Sequence, residues 1–529
     1  MAYIAPNTTV YLLSGVPLNN SYSDTIYFAS ASAQQSYFSG KAAVTLTNQS
    51  YQRKDKNVLR VTIPYGQTYN VNYMMWRNAN FENKWFYAFI LSVDYVNNET
   101  WDVTYEIDVI QTWMFNFTLE QCFVEREHSA TDEIGDNICP EPVNCGEMKI
   151  TTYGELFDSQ EIMAIVLLIV DSDAVSSGTK IDGVYSGCRM FAYNDQDIAS
   201  VQNKISEYAQ ATDSIVSIYM CPMWLFGAIP EGGTEVVTSN SGATFNVTKP
   251  AISAGTAMDG YTPKNNKLYT YPYNYYQVDN GSGGTMKVRY EFFSNLQPQF
   301  YVGGTVITPV SLICQPVNYK GVTGTSMQQS VHTENLTLDG FPTCSWNTDY
   351  FAAWAAQNSV PVLLNMGGQI ASGAASGAAV GGVAGPAGAV SGAIAGGIGS
   401  VISQASGLIS QGYTAAIHAD ISKGNLNIGN VNCALQLNRF NGGRVHLSAE
   451  YARMIDDYFT MFGYATHRVK VPNTHARPHW TYTKTVGCMI TGSVPGGDAA
   501  EICRIHDNGI TYWMNGNEVG NYSLDNSPA

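Results

Sequence analysis

Trp101-Asp102-Val103-Thr104-Tyr105-Glu106-Ile107-Asp108-Val109 alternates apolar and polar residues without a break. A period of two puts Trp101, Val103, Tyr105, Ile107 and Val109 on one face of a sheet and the carboxylates on the other. Leu59-Arg60-Val61-Thr62-Ile63 repeats the pattern. From Val10 to about Val124 the chain consists of short runs rich in Tyr, Val, Ile, Thr and Phe, punctuated by Gly, Asn and Pro. The reading is a mainly β protein of several sandwich- or barrel-like domains, with a minor helical component.

Further along, Thr131–Glu147 carries Pro140, Pro142 and Gly146 and reads as a connector. Ile162–Val170 is an apolar run of strand length, too short to span a membrane. Asp197–Ala209 has helical spacing at Ile198, Val201, Ile205 and Tyr208. Leu268–Tyr276 is a tyrosine-dense strand candidate, and Met286–Phe293 alternates again. Ser448–Tyr464 is the strongest helix, with Tyr451, Met454, Ile455, Tyr458, Phe459 and Phe462 as its apolar stripe and Gly463 as its stop. Near the end, Asn508-Gly509 and Asn515-Gly516 are hairpin-turn signals. These shifts divide the chain into residues 1–130 (β-rich), 131–265 (a middle β/α region), 266–349 (β-rich), 350–420 and 421–529.

Residues 350–420 break the pattern. Between Asp349 and Asp420 there is no Asp, Glu, Lys or Arg at all. About half of Gly367–Gly412 is Gly or Ala, and Pro386 is its only proline. A Gly/Ser linker normally carries charges, whereas Ile370, Val380, Val383, Val390, Ile394, Ile398, Val401, Ile402, Leu408 and Ile409 recur here. Gly385-Pro386 divides the stretch into Gly367–Gly385 and Ala387–Gln411, and a bilayer core needs about 20 helical residues. Small residues recur every fourth position at Gly373, Gly377, Gly381 and Gly385, then at Gly388, Gly392 and Gly396. That spacing lets helix backbones approach closely in lipid, while the same glycines oppose helix in water. The expectation is a conditional, membrane-active loop; a plug that stays inside protein and a plain linker are the alternatives.

Composition sets the other bounds. The chain has 529 residues, 45% hydrophobic and 13% charged, with a formal net charge of −16. Such a balance argues against gripping nucleic acid by phosphate neutralisation, yet suits DNA sliding past a repelling wall. The N-terminus has neither a basic nor an apolar signal region, so no secretion signal is expected. Ten scattered cysteines contain no Cys-x-x-Cys pair and read as free thiols of a protein made in a reducing cytoplasm.

No Gly-x-Ser-x-Gly elbow, His-Glu-x-x-His or Walker-type loop occurs, and no enzyme activity, metal or cofactor is expected. His467, His475 and His479 are the best metal candidate, but Pro478 disrupts the alignment of the last two and surface histidines are the stronger reading. Asp456-Asp457 and Asp102 with Glu106 resemble carboxylate dyads only superficially, since such neighbours are usually solvated faces.

Several strings resemble the tail knob, or distal tail tube, proteins of small short-tailed phages of Gram-positive bacteria. They are Asn83-Lys84-Trp85-Phe86-Tyr87-Ala88-Phe89, Glu106–Phe115, Arg126-Glu127-His128, Gly463-Tyr464 with Arg468-Val469-Lys470, Asp507-Asn508-Gly509-Ile510 with Trp513, and Gly520-Asn521-Tyr522-Ser523. The resemblance covers both ends and weakens through about Thr131–Pro263. It implies a homohexameric tube through which the genome passes, with residues 421–529 packing back on the N-terminal tube domain. It also implies that an apolar loop from each subunit blocks the lumen and then enters the host membrane. Met366–Gln411 matches that loop in composition and position. The implied partners are copies of itself, an upstream tail or lower collar protein, host membrane lipids, and phage DNA passing without specific binding. The implied location is the virion tail, assembled in the host cytoplasm. A receptor-binding or wall-degrading tail fibre is the alternative function, and a pore-forming toxin a third. The charge-free run contains no histidine before His418, so a pH trigger is expected outside Met366–Gln411.

Overall fold

The structure, a computed structural model, describes residues 7–49, 57–63, 70–78, 83–156, 163–169, 180–181, 184–185, 189–194, 197, 199–201, 203–204, 215–226, 229–236, 240–246, 257–294, 296–305, 310–321, 334–341, 343–346, 424–427 and 439–528. It is mostly β with few helices, as the alternation predicts. The chain forms two compact units. One contains residues 1–147, 254–270 and 447–529; the other contains 148–253 and 271–446.

The first unit holds a six-stranded antiparallel sheet in the order Ala42–Gln49, Thr8–Ser14, Val71–Asn78, Trp85–Asn97, Thr100–Ile107, Val58–Thr62. The two strings read first in the sequence are neighbours here, with Arg60 opposite Asp102 and Val61 opposite Trp101. Both faces of the sheet are covered. Val10, Leu12, Met74, Trp76, Trp101 and Val103 build a core on one side. Leu13, Tyr73, Met75, Tyr87 and Phe89 build another with Phe38, Ile502, Ile505, Ile510 and Tyr512. The alternation stops before Val109, contrary to expectation. Asp108 leaves the strand to cap the short helix Val109–Trp113, its carboxylate accepting Gln111 N–H (3.0 Å) and Tyr73 O–H (2.8 Å). Burial pushes this carboxyl up to about 6.

A second sheet of this unit runs Asp24–Ile26, Ile510–Trp513, Trp480–Val486, Cys122–Glu127, Tyr464–Lys470. Chain ends that lie hundreds of residues apart therefore share one set of hydrogen bonds. Trp480, Trp513 and Tyr522 close against one another at centroid separations of 5.1–5.2 Å.

The helix Ala449–Phe462 forms with Ser448 as N-cap and Gly463 as C-cap. Its buried face is not the apolar stripe alone. Met454 is exposed, and Asp456 and Thr460 are buried, because their side chains bond the 264–266 segment. Several local expectations fail: Met286–Phe293 is strand only up to Val288 and then a 3₁₀ turn, Tyr290–Phe292, and among the described residues no strand follows Asn515-Gly516 to make it a hairpin. Leu268–Tyr276 opens with a 3₁₀ turn, Asn266–Tyr269, and a cis Tyr271-Pro272 bond before the strand Asn274–Asp279; Pro272 supplies no N–H to a ladder. Asn508-Gly509 is not a hairpin turn but the end of the helix Gly496–Asn508, Gly509 having φ +95°.

The second unit carries three main sheets. The largest has six strands in the order Thr234–Val236, Arg189–Asn194, Met163–Ile169, Ile215–Pro222, Thr343–Trp346, Gly424–Asn427. The other two run Met148–Glu155, Asn441–Leu447, Asn274–Asp279, Thr285–Val288, and Asn240–Asn246, Gln299–Thr305, Ser311–Pro316, Leu336–Leu338. Asp197–Ala209 shows helix at 199–201 and 203–204, with the rest outside the described residues.

Candidate functional site

The residues named from the sequence as the site lie outside the described residues. They are Ile370, Gly373, Gly377, Val380, Gly381, Val383, Gly385, Pro386, Val390, Gly392, Ile394, Gly396, Ile398, Val401, Ile402, Leu408 and Ile409, and His418 lies outside with them. The strands on either side of them are described. Thr343–Trp346 and Gly424–Asn427 pair antiparallel, with Thr343 opposite Asn427, Cys344 opposite Leu426, Ser345 opposite Asn425 and Trp346 opposite Gly424. The chain therefore departs and returns at hydrogen-bonded neighbours, and the charge-free run is an insertion closed at its base. Thr343–Trp346 is in turn anchored on Ile215–Pro222, with Ile218 opposite Cys344. Among the described residues, Gly424–Asn427 is the last strand of the sheet. Among the described residues no helix is long and apolar enough to cross a membrane.

The first unit presents a second feature that sequence reading missed. Val469 and Val486, on the two strands flanking Cys122–Glu127, are both register partners of Phe123. Register partners emerge on the same face of a sheet. All three are exposed, at 69% (Val469), 39% (Phe123) and 54% (Val486), while Cys122 and Val124, the chain neighbours of Phe123, are buried. Val471 and Met489, also exposed, border an open groove lined by Glu120, Gln121, Ile490 and Cys503. Single exposed apolar side chains are ordinary on a soluble protein, but a contiguous row marks a contact surface. Tyr464–Lys470 is the edge of the sheet and is bulged between Ala465 and Arg468. There His467, at φ +46°, stacks on Phe123 at 5.9 Å. The local signal was one valine or phenylalanine near a strand end, which becomes a row only once three strands align.

In the same unit a buried polar lattice ties distant segments together. Glu127 accepts from Lys470 Nζ (2.5 Å), Asn473 N (2.9 Å) and Asn473 Nδ2 (3.2 Å). Glu141, in the proline-bearing connector, binds Arg126, Lys267 Nζ (2.5 Å) and Ala465 N (2.8 Å). Burial holds the Lys267 ammonium below its ordinary range, and Glu141 opposes that shift. Asp456 accepts from Tyr261 O–H (2.6 Å), Lys264 N (2.7 Å), Asn265 N (3.0 Å) and Asn265 Nδ2 (2.8 Å). This carboxylate serves the fold, not a dyad with Asp457. Asp102 is held likewise by Arg60 through two bonds of 2.7 and 2.8 Å. The three candidate histidines are apart in role: His467 stacks on Phe123, His475 on Tyr27 at 4.9 Å, and His479 Nδ1 bonds Glu518 at 2.9 Å.

Residues 237–527 match the family model of the C-terminal domain of tail knob protein gp9 of Bacillus phage phi29. The chain belongs to the gp9 tail knob family. Residues 6–118 match a model of the N-terminus of caudoviral major tail proteins, which takes in all six strands of the six-stranded sheet. Tail knob protein gp9 of Bacillus phage PZA is 26% identical, and that of phage phi29 25% identical, each over 612 positions covering 99% of this chain and all of the relative. Those alignments are longer than the 529 residues here, so the gp9 relatives carry segments that this chain lacks. A solved structure of the tail knob protein gp12 of bacteriophage C1 shares the fold at a TM-score of 0.58 and 15% identity, covering 98% of this chain and 99% of that one. This member of the gp9 family is thus a structural tail protein, a component of the virion tail.

Proposed function

We propose that this tail knob protein assembles as a homohexameric tube at the distal end of the tail, conducts the phage genome, and uses residues 350–420 first to plug the lumen and then to penetrate the host membrane. The observation that carries the reading is a charge-free insertion closed at its base by the Trp346–Gly424 pair, in a chain of the tail knob family. Six such insertions fill a narrow channel without stranding a charge in it. Once outside, small apolar residues at helical spacing suit lipid, where every backbone group must bond internally. A net charge of −16 disfavours any grip on phosphate, so DNA passes without specific binding. The exposed Val469–Phe123–Val486 row supports association, with a copy of the chain or with an upstream tail or collar protein as the partner. Assembly belongs to the host cytoplasm. The chain's role is mechanical, with no catalysis in it.

Two measurements test this. Negative-stain images of the purified protein are expected to show six-fold rings or short tubes; persistent monomers at high concentration overturn the tube. Liposomes loaded with a self-quenched dye are expected to leak with the full chain and not after deletion of Met366–Gln411. Equal leakage from both overturns the membrane role.

A further inference from the structure

Three cysteines meet at the turn that follows the strand Trp480–Val486. The Cys488 side chain neighbours those of both Cys503 and Cys122. The backbone around Cys488 holds the same arrangement. Glu120 N–H donates to the Met489 carbonyl at 2.9 Å, which ties the segment after Cys488 to the residues before Cys122, and Met489, Ile490 and Cys503 line one groove. Cys488 N–H donates to Asp507 Oδ1 at 3.0 Å, and Thr485 O–H donates to the same oxygen at 2.7 Å. Asp507 and Cys503 stand four residues apart on the helix Gly496–Asn508, so both face the turn that carries Cys488. All three thiols are free. Cys122 and Cys488 are buried, whereas Cys503 is partly exposed and lines the groove beside Met489 and Ala499.

We propose that Cys488 and Cys503 are an oxidisable pair, which closes into a disulfide when the protein leaves a reducing compartment and meets a low-molecular-weight disulfide such as oxidised glutathione. Cys503, the accessible member, attacks as thiolate and forms a mixed disulfide, expelling one glutathione thiolate. Cys488 then attacks the Cys503 sulfur and expels the second. Two protein thiols are oxidised to one S–S bond, one glutathione disulfide is reduced to two thiols, and the two protein protons end on glutathione. Cys122, enclosed beneath the turn, is left reduced. The bond ties the Gly496–Asn508 helix to the strand end and closes Met489–Ile502 as a loop. Burial pushes the Cys503 thiol up, so the reaction quickens with rising pH.

The full chain, incubated at alkaline pH with oxidised glutathione and alkylated, is digested without reductant and mapped by mass spectrometry. The expected result is a Cys488–Cys503 peptide, two fewer titratable thiols, and a thermal midpoint raised by a few degrees that dithiothreitol reverses. Cys503→Ser removes all three effects, and Cys122→Ser keeps them. A Cys122–Cys488 bond, glutathione retained on Cys503, or unreacted thiols at Cys488 and Cys503 after prolonged oxidation each overturns the assignment.

Discussion

Trp346 and Gly424 are register partners in an antiparallel pair, although 77 residues separate them in the chain. The strands on either side of the intervening segment thus pair directly with each other. Closing a loop costs free energy only as the logarithm of its length, so the fold owes little to what the loop contains. Replacing residues 347–423 by a two-residue Asn-Gly turn is expected to leave the thermal midpoint within about 3 °C of the parent, with dye release from liposomes lost. Unfolding of the shortened protein at ordinary temperature, seen by circular dichroism, would contradict this.

Acid acts on the first unit through His128. Its Nδ1 accepts Tyr482 N–H at 2.8 Å while its Nε2 reaches the Thr460 carbonyl at 3.1 Å, so the ring is neutral with its proton on Nε2. Burial first, then the Arg477 guanidinium, hold it down to about 3. The unfolded chain takes up this proton near pH 6.5 and the folded chain does not. Stability from this group is therefore complete above 6.5 and is lost at about 1.4 kcal/mol per pH unit as pH falls towards 3. Asp108, raised to about 6, opposes it: its contribution is complete below 3.8 and is lost as pH rises through 6. The comparison is consequently between variants. His128→Gln is expected to be less stable than the parent at pH 7.5 and to close that gap by roughly 1.4 kcal/mol per unit below 6.5, read from urea unfolding at successive pH values.

Asp456→Ala strips the partner from four donors at once, two of them main-chain N–H groups. Leaving buried donors unsatisfied is expected to cost about 3–5 kcal/mol, whereas Asp457→Ala, on the exposed side of the same helix, should stay within about 0.5 kcal/mol. Chemical denaturation of the two variants side by side checks the contrast.

Val469→Glu places a charge in the exposed row. Since Val469 is 69% exposed, the folded subunit should change by no more than about 0.5 kcal/mol. Assembly is expected to fail, with the variant sedimenting as a smaller species at concentrations where the parent forms larger particles. Unaltered sedimentation would remove this row from the contact surface.

Some features were legible in the sequence because their cause is local. Val58–Thr62 and Thr100–Ile107 are strands because alternation commits each to one buried face. Ala449–Phe462 runs between Ser448 and Gly463 because cap and stop are adjacent to the stripe. Local reading failed where a distant group intervened. Asp108 ends its strand since Tyr73 and Gln111 claim its carboxylate. Asp456 turns inward since Asn265 and Tyr261 wait for it, which leaves Met454 in water.

The sequence by itself determined that this is a mainly β chain, that one stretch is built without charge, and that its end strings resemble tail knob proteins. Composition and short-range periodicity carry those facts, and neither depends on what the chain folds against. Only the tertiary structure decided that Cys122–Glu127 lies between Tyr464–Lys470 and Trp480–Val486, that Val469, Phe123 and Val486 form a row, and that Trp346 meets Gly424 at the base of the insertion. Strand pairing is chosen by hydrogen bonds and buried faces hundreds of residues apart, and no local pattern encodes which partner completes them.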